Sequence, residues 1–253
     1  MHRLVLAALL ASAQAALKSL RESRESLHVA TAGPASPCQC QSDTSAIPRP
    51  TRTKPRCIFI DLGAADGNSY NAFLRGEYGN LADCPNQEYE AYLVEANPHF
   101  QQELNNKAAK SVPGKEIYPM MNGAWMCEAD TTFHVVGKTS AASSLAPQGN
   151  AEDVRVHLIN VVSLIKSKTI PGDKVLLKVD IEGAEFDLIP CLARADVLGP
   201  HITAFVEEHY FLGGVKRSLT GVTDEEYKAA KKMMTSKGVK MPHYSSITLL
   251  AGA

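Results

Sequence analysis

From residue 56 onward, short apolar runs alternate with stretches of helical period. The runs 57–62, 90–96, 117–121, 174–179 and 202–206 each have the length of a strand. Several are almost unbroken by polar residues, which is the pattern of a strand buried on both faces rather than one. Between them, 68–75, 99–110, 184–195 and 224–237 carry helical spacing, and 246–250 reads as a last strand. The helix at 224–237 is preceded by Thr223, with Glu226 three residues on, the spacing of a capping box. Strands alternating with helices predict an α/β fold, a doubly wound, mostly parallel sheet with helices on both faces. In such sheets ligands sit beyond the carboxyl ends of the strands, near the point where the strand order reverses.

The first 55 residues follow another pattern. Met1-His2-Arg3 is a short basic start, the apolar run covers 4–16, and Ala13-Gln14-Ala15 has the small-x-small form of a cleavage site. That is the layout of a secretory signal peptide over residues 1–15. The run is shorter than the ~20 apolar residues of a membrane span, so no stable span is expected. Residues 16–55, rich in Pro, Ser and Thr from 28 on, read as a low-complexity linker that buries too little apolar surface to order itself. The folded domain is then 56–253, and the expected location is the secretory route or outside the cell. An organelle or the cytoplasm follows if the first segment is not a signal.

Composition narrows the function. Of 253 residues, 45% are hydrophobic and 21% charged, ordinary for a chain with a sizeable core. The formal net charge is −1, which offers no global attraction to nucleic acid or an anionic membrane. Six cysteines are too few for a disulfide-built miniprotein. Cys38 and Cys40 form C-x-C without a second pair at zinc spacing, so disulfides in an oxidising compartment are expected, with a pairing the sequence leaves open.

Three strand ends carry chemistry. The first runs into Asp61-Leu62-Gly63-Ala64-Ala65-Asp66-Gly67-Asn68, where two glycines allow a sharp turn and close backbone approach to a ligand. It matches neither the dinucleotide fingerprint nor a P-loop. Glu95 ends the second strand, where a carboxylate can accept both hydroxyls of a ribose. Leu177-Lys178-Val179-Asp180-Ile181-Glu182-Gly183-Ala184-Glu185 puts three carboxylates at the end of a buried strand. Asp180 and Glu182 are expected on one strand face, with Glu185 in the first turn of the next helix, complementing its dipole.

Together, FIDLGAADGNS (59–69), YLVEANP (92–98), MNGAW (121–125) and LLKVDIEGAEFDLI (176–189) resemble the FkbM-type family of S-adenosylmethionine-dependent methyltransferases. The resemblance covers roughly 56–250 and implies the class I methyltransferase fold, a Rossmann-like sheet of seven strands whose last is antiparallel. It implies S-adenosylmethionine as cofactor. Asp61, Gly63, Ala64, Gly67 and Asn68 would surround its methionine part, and Glu95 would hold the ribose with Ala96 and Asn97 beside the adenine. Asn122, Gly123 and Ala124 would close the adenine side, and Asp180 would face both cofactor and acceptor. Ser143-Ser144-Leu145 resembles a serine loop near the substrate, and Glu207-Glu208-His209 a glutamate-x-histidine strand end with both side chains on one face. Residues 213–223 match no family pattern.

The expected reaction is O-methylation of a hydroxyl on a glycan, sugar or small metabolite. Methyl transfer is an in-line displacement, so the protein must align the acceptor and exclude water, and a hydroxyl must also lose its proton. Asp180 and His209 are the candidate bases, with Glu182 a third catalytic candidate. Asp180, Glu182, Glu185 and His209 include donors for a hard cation, but no metal is expected. Two other readings stay open. One is an inactive methyltransferase-like binding module. The other is an NAD-dependent enzyme, disfavoured because the third glycine is missing and Glu95 lies well beyond the ~20-residue offset.

Overall fold

The computed structural model describes residues 38, 40, 47–137, 143–147, 150–209 and 218–244. The expected signal segment, the last strand at 246–250 and part of the stretch 213–223 lie outside the described residues. Five strands form the central sheet: β1 (Cys57–Leu62), β2 (Tyr89–Val94), β3 (Lys115–Met120), β7 (Lys174–Val179) and β8 (Ile202–Val206). Their order is β3-β2-β1-β7-β8, and every pairing is parallel. The order reverses beside β1, so the turn after β1 opens at the switch point.

β1 and β2 are buried at every position, as their mostly apolar runs predict. On β1, Ile58, Ile60 and Leu62 pack into one cluster with Val161 and Ile165 of α3 (Val161–Lys168), Leu188 of α4 (Glu185–Arg194) and Met234 of α5 (Asp224–Ser236). Cys57 and Phe59 pack into the other, with Phe73 of α1 (Asn68–Leu74) and Leu104 of α2 (Gln101–Ala108). The period of two along the strand thus feeds two cores. Phe59 and Phe73 stack with centroids 4.6 Å apart.

Helix α5 starts as its capping box predicts: the Thr223 hydroxyl accepts from Glu226 N at 3.2 Å, and Thr223 N donates to Glu226 Oε2 at 2.8 Å. Two features are absent from the sequence reading. Helix α3 is capped by Asn160, whose side chain accepts from Ser163 N at 3.1 Å. A second sheet, ordered β4-β6-β5, is built from β4 (Gly123–Trp125), β5 (Ala129–Val135) and β6 (Glu152–Asn160), with β5 antiparallel to β6. β5 and β6 mix exposed polar with buried apolar residues and β4 is only three residues long, so none has the longer apolar run of a central strand.

All six cysteines are paired, as Cys38–Cys191, Cys40–Cys127 and Cys57–Cys84. The first two tie residues from the expected linker to α4 and to the end of β4. Arg52, from the same stretch, makes two bonds to the buried Asp173 carboxylate, at 2.7 and 2.5 Å. Arg49 donates to the Thr169 carbonyl at 3.2 Å. Among the described residues no helix is long and apolar enough to cross a membrane.

Candidate active site

After Leu62 the chain turns at Gly63, whose φ of +81° lies in the left-handed region. A Cβ there would stand 1.8 Å from the Asp180 carbonyl oxygen, so only glycine lets β1 and β7 end this close. Gly63 N and Ala64 N both donate to the Val94 carbonyl at 3.0 Å, fastening the turn to β2. Gly67, at φ +79°, enters α1. Asp66 accepts from Asn68 N at 3.0 Å and from its side-chain amide at 2.7 Å.

Glu95 stands one residue past β2 and is 7% exposed. Its Oε2 accepts from Ala65 N and its Oε1 from Asn97 N, both at 2.7 Å, which holds the carboxylate rigid while leaving each oxygen a further lone pair. Burial pushes its pKa up, opposed by those two backbone donors.

A cavity of about 300 Å³ opens between these turns. Gly63, Ala64, Asn68, Glu95, Ala96, Asn97, Asn122, Gly123, Ala124, Asp180 and Glu182 all line it, so most of the residues singled out in the sequence converge on one space. Ser143 and Leu145 of the serine loop line it too. Asp61, Gly67 and His209 do not. Asp61 is fully buried beneath, where it accepts from the Ser69 hydroxyl and stands 3.2 Å from Lys178 Nζ.

Lys178 joins the floor of this cavity to its wall. Its side chain is 3% exposed, and Nζ donates to the Gly63 carbonyl at 2.6 Å and stands 3.3 Å from Asp180 Oδ2. Burial alone would lower its pKa, but the carboxylates of Asp61 and Asp180 outweigh that and raise it. Against the penalty of burial, Lys178 and His209 together hold Asp180 down at about 2.

His209 sits among three acids. Nε2 is 3.3 Å from Asp180 Oδ1 and 3.6 Å from Glu182 Oε1, and Nδ1 is 3.0 Å from Glu185 Oε1. These acids overcome burial and raise its pKa to about 10, so the ring is an imidazolium at neutral pH. Burial, aided by Asp180, Glu185 and Glu207, lifts Glu182 to about 7, with His209 pulling the other way. Asp180, Glu182 and His209 offer three ligand atoms within 4.8 Å of one another, a spacing a divalent cation could bridge.

The chain matches the family model described as the methyltransferase FkbM domain over residues 45–238. It belongs to the FkbM methyltransferase family. No curated relative and no solved structure gives a significant match.

Within the FkbM domain, two local expectations differ from what is observed, and Glu185, found in the first turn of its helix as expected, does more than complement the dipole. β7 ends at Val179, so Asp180 and Glu182 share no strand face; Glu182 is turned by a φ of +53°, and the two carboxylates meet through that turn. β8 ends at Val206, and His209 is held instead by its own backbone N–H and ring, both bonded to Glu185 Oε1. Glu185, fully buried, also accepts from Gly183 N at 2.9 Å, so it braces the site as well as standing in the first turn of α4. Lys178 has no role in the sequence motifs above, although a lysine inside a doubly buried strand is itself a signal of a buried partner. Tyr78 and Tyr244 also line the cavity, with their hydroxyls 3.0 Å apart; no local pattern joins residues so distant in sequence.

Proposed function

We propose that this FkbM-family chain is an S-adenosylmethionine-dependent O-methyltransferase acting on a hydroxyl of a sugar, glycan or small metabolite. The carrying observation is one cavity lined by Glu95 and the Gly63 turn together with the Asp180–Glu182 acids. The donor set fits the cofactor. The glycine and alanines of the turn leave room for close backbone contact, Glu95 has lone pairs for two ribose hydroxyls, and the acids suit a sulfonium.

When bound, the cofactor supplies an electrophilic methyl group. The residues of this chain would do the rest. Gly63, Ala64 and Asn68 hold the methionine part, with Asp61 and Gly67 shaping the turn from behind. Glu95, Ala96 and Asn97 hold the nucleoside, and Asn122, Gly123 and Ala124 close over it. Asp180 and Glu182 orient the acceptor and offer its proton a carboxylate, while His209 and Lys178 keep Asp180 fixed and ionised. The acceptor is a hydroxyl rather than a carboxylate, because a negative acceptor would meet Asp180 and Glu182 at close range. Final alignment and exclusion of water supply most of the rate.

The finer architecture belongs to the same reading: a seven-stranded doubly wound sheet in 56–253, with 246–250 as the antiparallel last strand. Residues 1–15 would be a secretory signal and 16–55 the connecting segment. The three disulfides, all built on residues beyond that signal, support an oxidising compartment.

The test uses the full chain with disulfides intact. Calorimetry with S-adenosylhomocysteine and with NAD comes first, then methyl-labelled S-adenosylmethionine with a panel of hydroxylated sugars, glycans and metabolites. Binding of the thioether and label in an ether product are expected. Binding without product across the panel would favour a binding module, and binding of NAD alone would overturn the reading.

A further inference from the structure

We propose that Arg75 receives the carboxylate of the methionine tail of S-adenosylmethionine. This rests on the methyltransferase reading above and adds to it which residue anchors the amino-acid end of the cofactor.

S-adenosylmethionine carries two cationic groups, a sulfonium and an ammonium, and one anion, its carboxylate. Among the described residues the cavity is lined by four acids, Asp66, Glu95, Asp180 and Glu182, and by two cations, Lys178 and Arg75. The acids suit the cationic groups of the ligand and repel its carboxylate. Lys178 is already committed to Asp61, to Asp180 and to the Gly63 carbonyl. That leaves Arg75.

The glycine turn has little to offer an anion in its place. The N–H groups of Gly63 and Ala64 donate to the Val94 carbonyl, that of Ala65 to Glu95, and that of Gly67 to the Ala64 carbonyl. Asn68 donates from both its backbone and its side-chain amide to Asp66, so an acid of the chain already stands at the start of α1. The Ser69 hydroxyl is given to Asp61.

Arg75 is placed and held for the role. Asn68, Ala72 and Arg75 line the cavity along one face of α1 and its C-cap. Side chains on a helix lean toward its N-terminus, which turns Arg75 back over the small Ala72. Its Nε donates to Glu77 Oε1 at 2.6 Å, while Nη1 and Nη2 have no partner among the described residues. Glu77 thus pins the guanidinium by one nitrogen and leaves donors free that can meet a carboxylate with two parallel bonds. The Arg75 side chain is 52% exposed, against 17% for Asp180 and 13% for Glu182. The anchor for the anion therefore stands at the mouth of the cavity, and the acids that suit the sulfonium stand further in.

The experiment needs no acceptor. Calorimetry on the full chain, with disulfides intact, uses three ligands that share the nucleoside and the thioether: S-adenosylhomocysteine, its decarboxylated analogue, and 5′-methylthioadenosine. Arg75→Gln should weaken S-adenosylhomocysteine about tenfold, the scale of one charge-assisted pair. It should leave methylthioadenosine within about twofold, the usual error of additivity. The decarboxylated analogue is a cation, so its affinity should be unchanged or higher once Arg75 is gone. The difference between ligands isolates the contact between guanidinium and carboxylate from any effect on the fold. Equal losses with all three ligands would make Arg75 a support of the structure only. An S-adenosylhomocysteine affinity within about twofold of wild type would leave the guanidinium to some other anion. Either result overturns the assignment. Binding of none of the three by the wild-type chain would instead sink the cofactor reading, and this inference with it.

Discussion

Lys178 Nζ and Asp61 Oδ1 face each other 3.2 Å apart at the carboxyl ends of two adjacent strands, with side chains 3% and 0% exposed. Lys178 also donates to the Gly63 carbonyl, so one ammonium ties the acid of β1 to the glycine turn that follows it. Breaking a buried pair leaves the surviving charge without compensation, which costs far more than the net worth of the pair. Lys178→Met should therefore destabilise the fold by about 3–5 kcal/mol, read as a lower urea midpoint. A change below 1 kcal/mol would mean that Asp61 is neutral in the native state.

Gly63→Ala should be worse than its size suggests. The added methyl meets the Asp180 carbonyl oxygen at 1.8 Å, and the φ of +81° is strained for alanine. A positive φ alone costs about 1–3 kcal/mol. The backbone must also move apart between β1 and β7, so binding of S-adenosylhomocysteine should fall by at least tenfold even in protein that folds. Calorimetry on the purified variant with intact circular dichroism separates the two effects.

Glu95→Ala removes a rigid carboxylate that accepts from Ala65 N and Asn97 N. Loss of the charge-assisted bonds proposed to the ribose should weaken thioether binding by roughly 1–3 kcal/mol. Unchanged affinity in a folded Glu95→Ala chain would remove the ribose assignment.

The bond between Cys38 and Cys191 closes a sequence separation of 153 residues and anchors the segment before the domain to α4. Replacing both cysteines by serine should cost about 2–5 kcal/mol of stability. A urea melt of the double variant, compared with wild type in oxidising buffer, checks this.

The pH dependence of stability follows from His209. Its pKa is raised from the ordinary 6.5 to about 10 by Asp180, Glu185 and Glu182, against the effect of burial. Its contribution is therefore complete below about 6.5 and disappears as the pH climbs through 10. Thermal midpoints should fall across that window, and His209→Gln should flatten the fall. An equal slope in both proteins would show that the ring is not the titrating group.

Much of this protein was written in local patterns. Mostly apolar runs announced the five strands of the central sheet, and β1 and β2 are buried at every position because both of their faces are covered. The Thr223–Glu226 box marked a helix start, and the glycine turn, Glu95 and Asp180 marked strand ends that converge on one cavity. What tertiary structure alone decided involves partners far apart in the chain. The pairing of six cysteines depends on which Cβ atoms meet within a few ångströms, which spacing does not encode. The carboxylates of Asp180 and Glu182 meet through a left-handed turn after the strand, not through strand periodicity. Three strand ends and the segment after β8 converge to make Asp180 a fixed anion, His209 a cation and Glu182 a group poised near neutrality. Side-chain type names the groups that can ionise; burial and neighbouring charge, which exist only once the chain has folded, set which of them do.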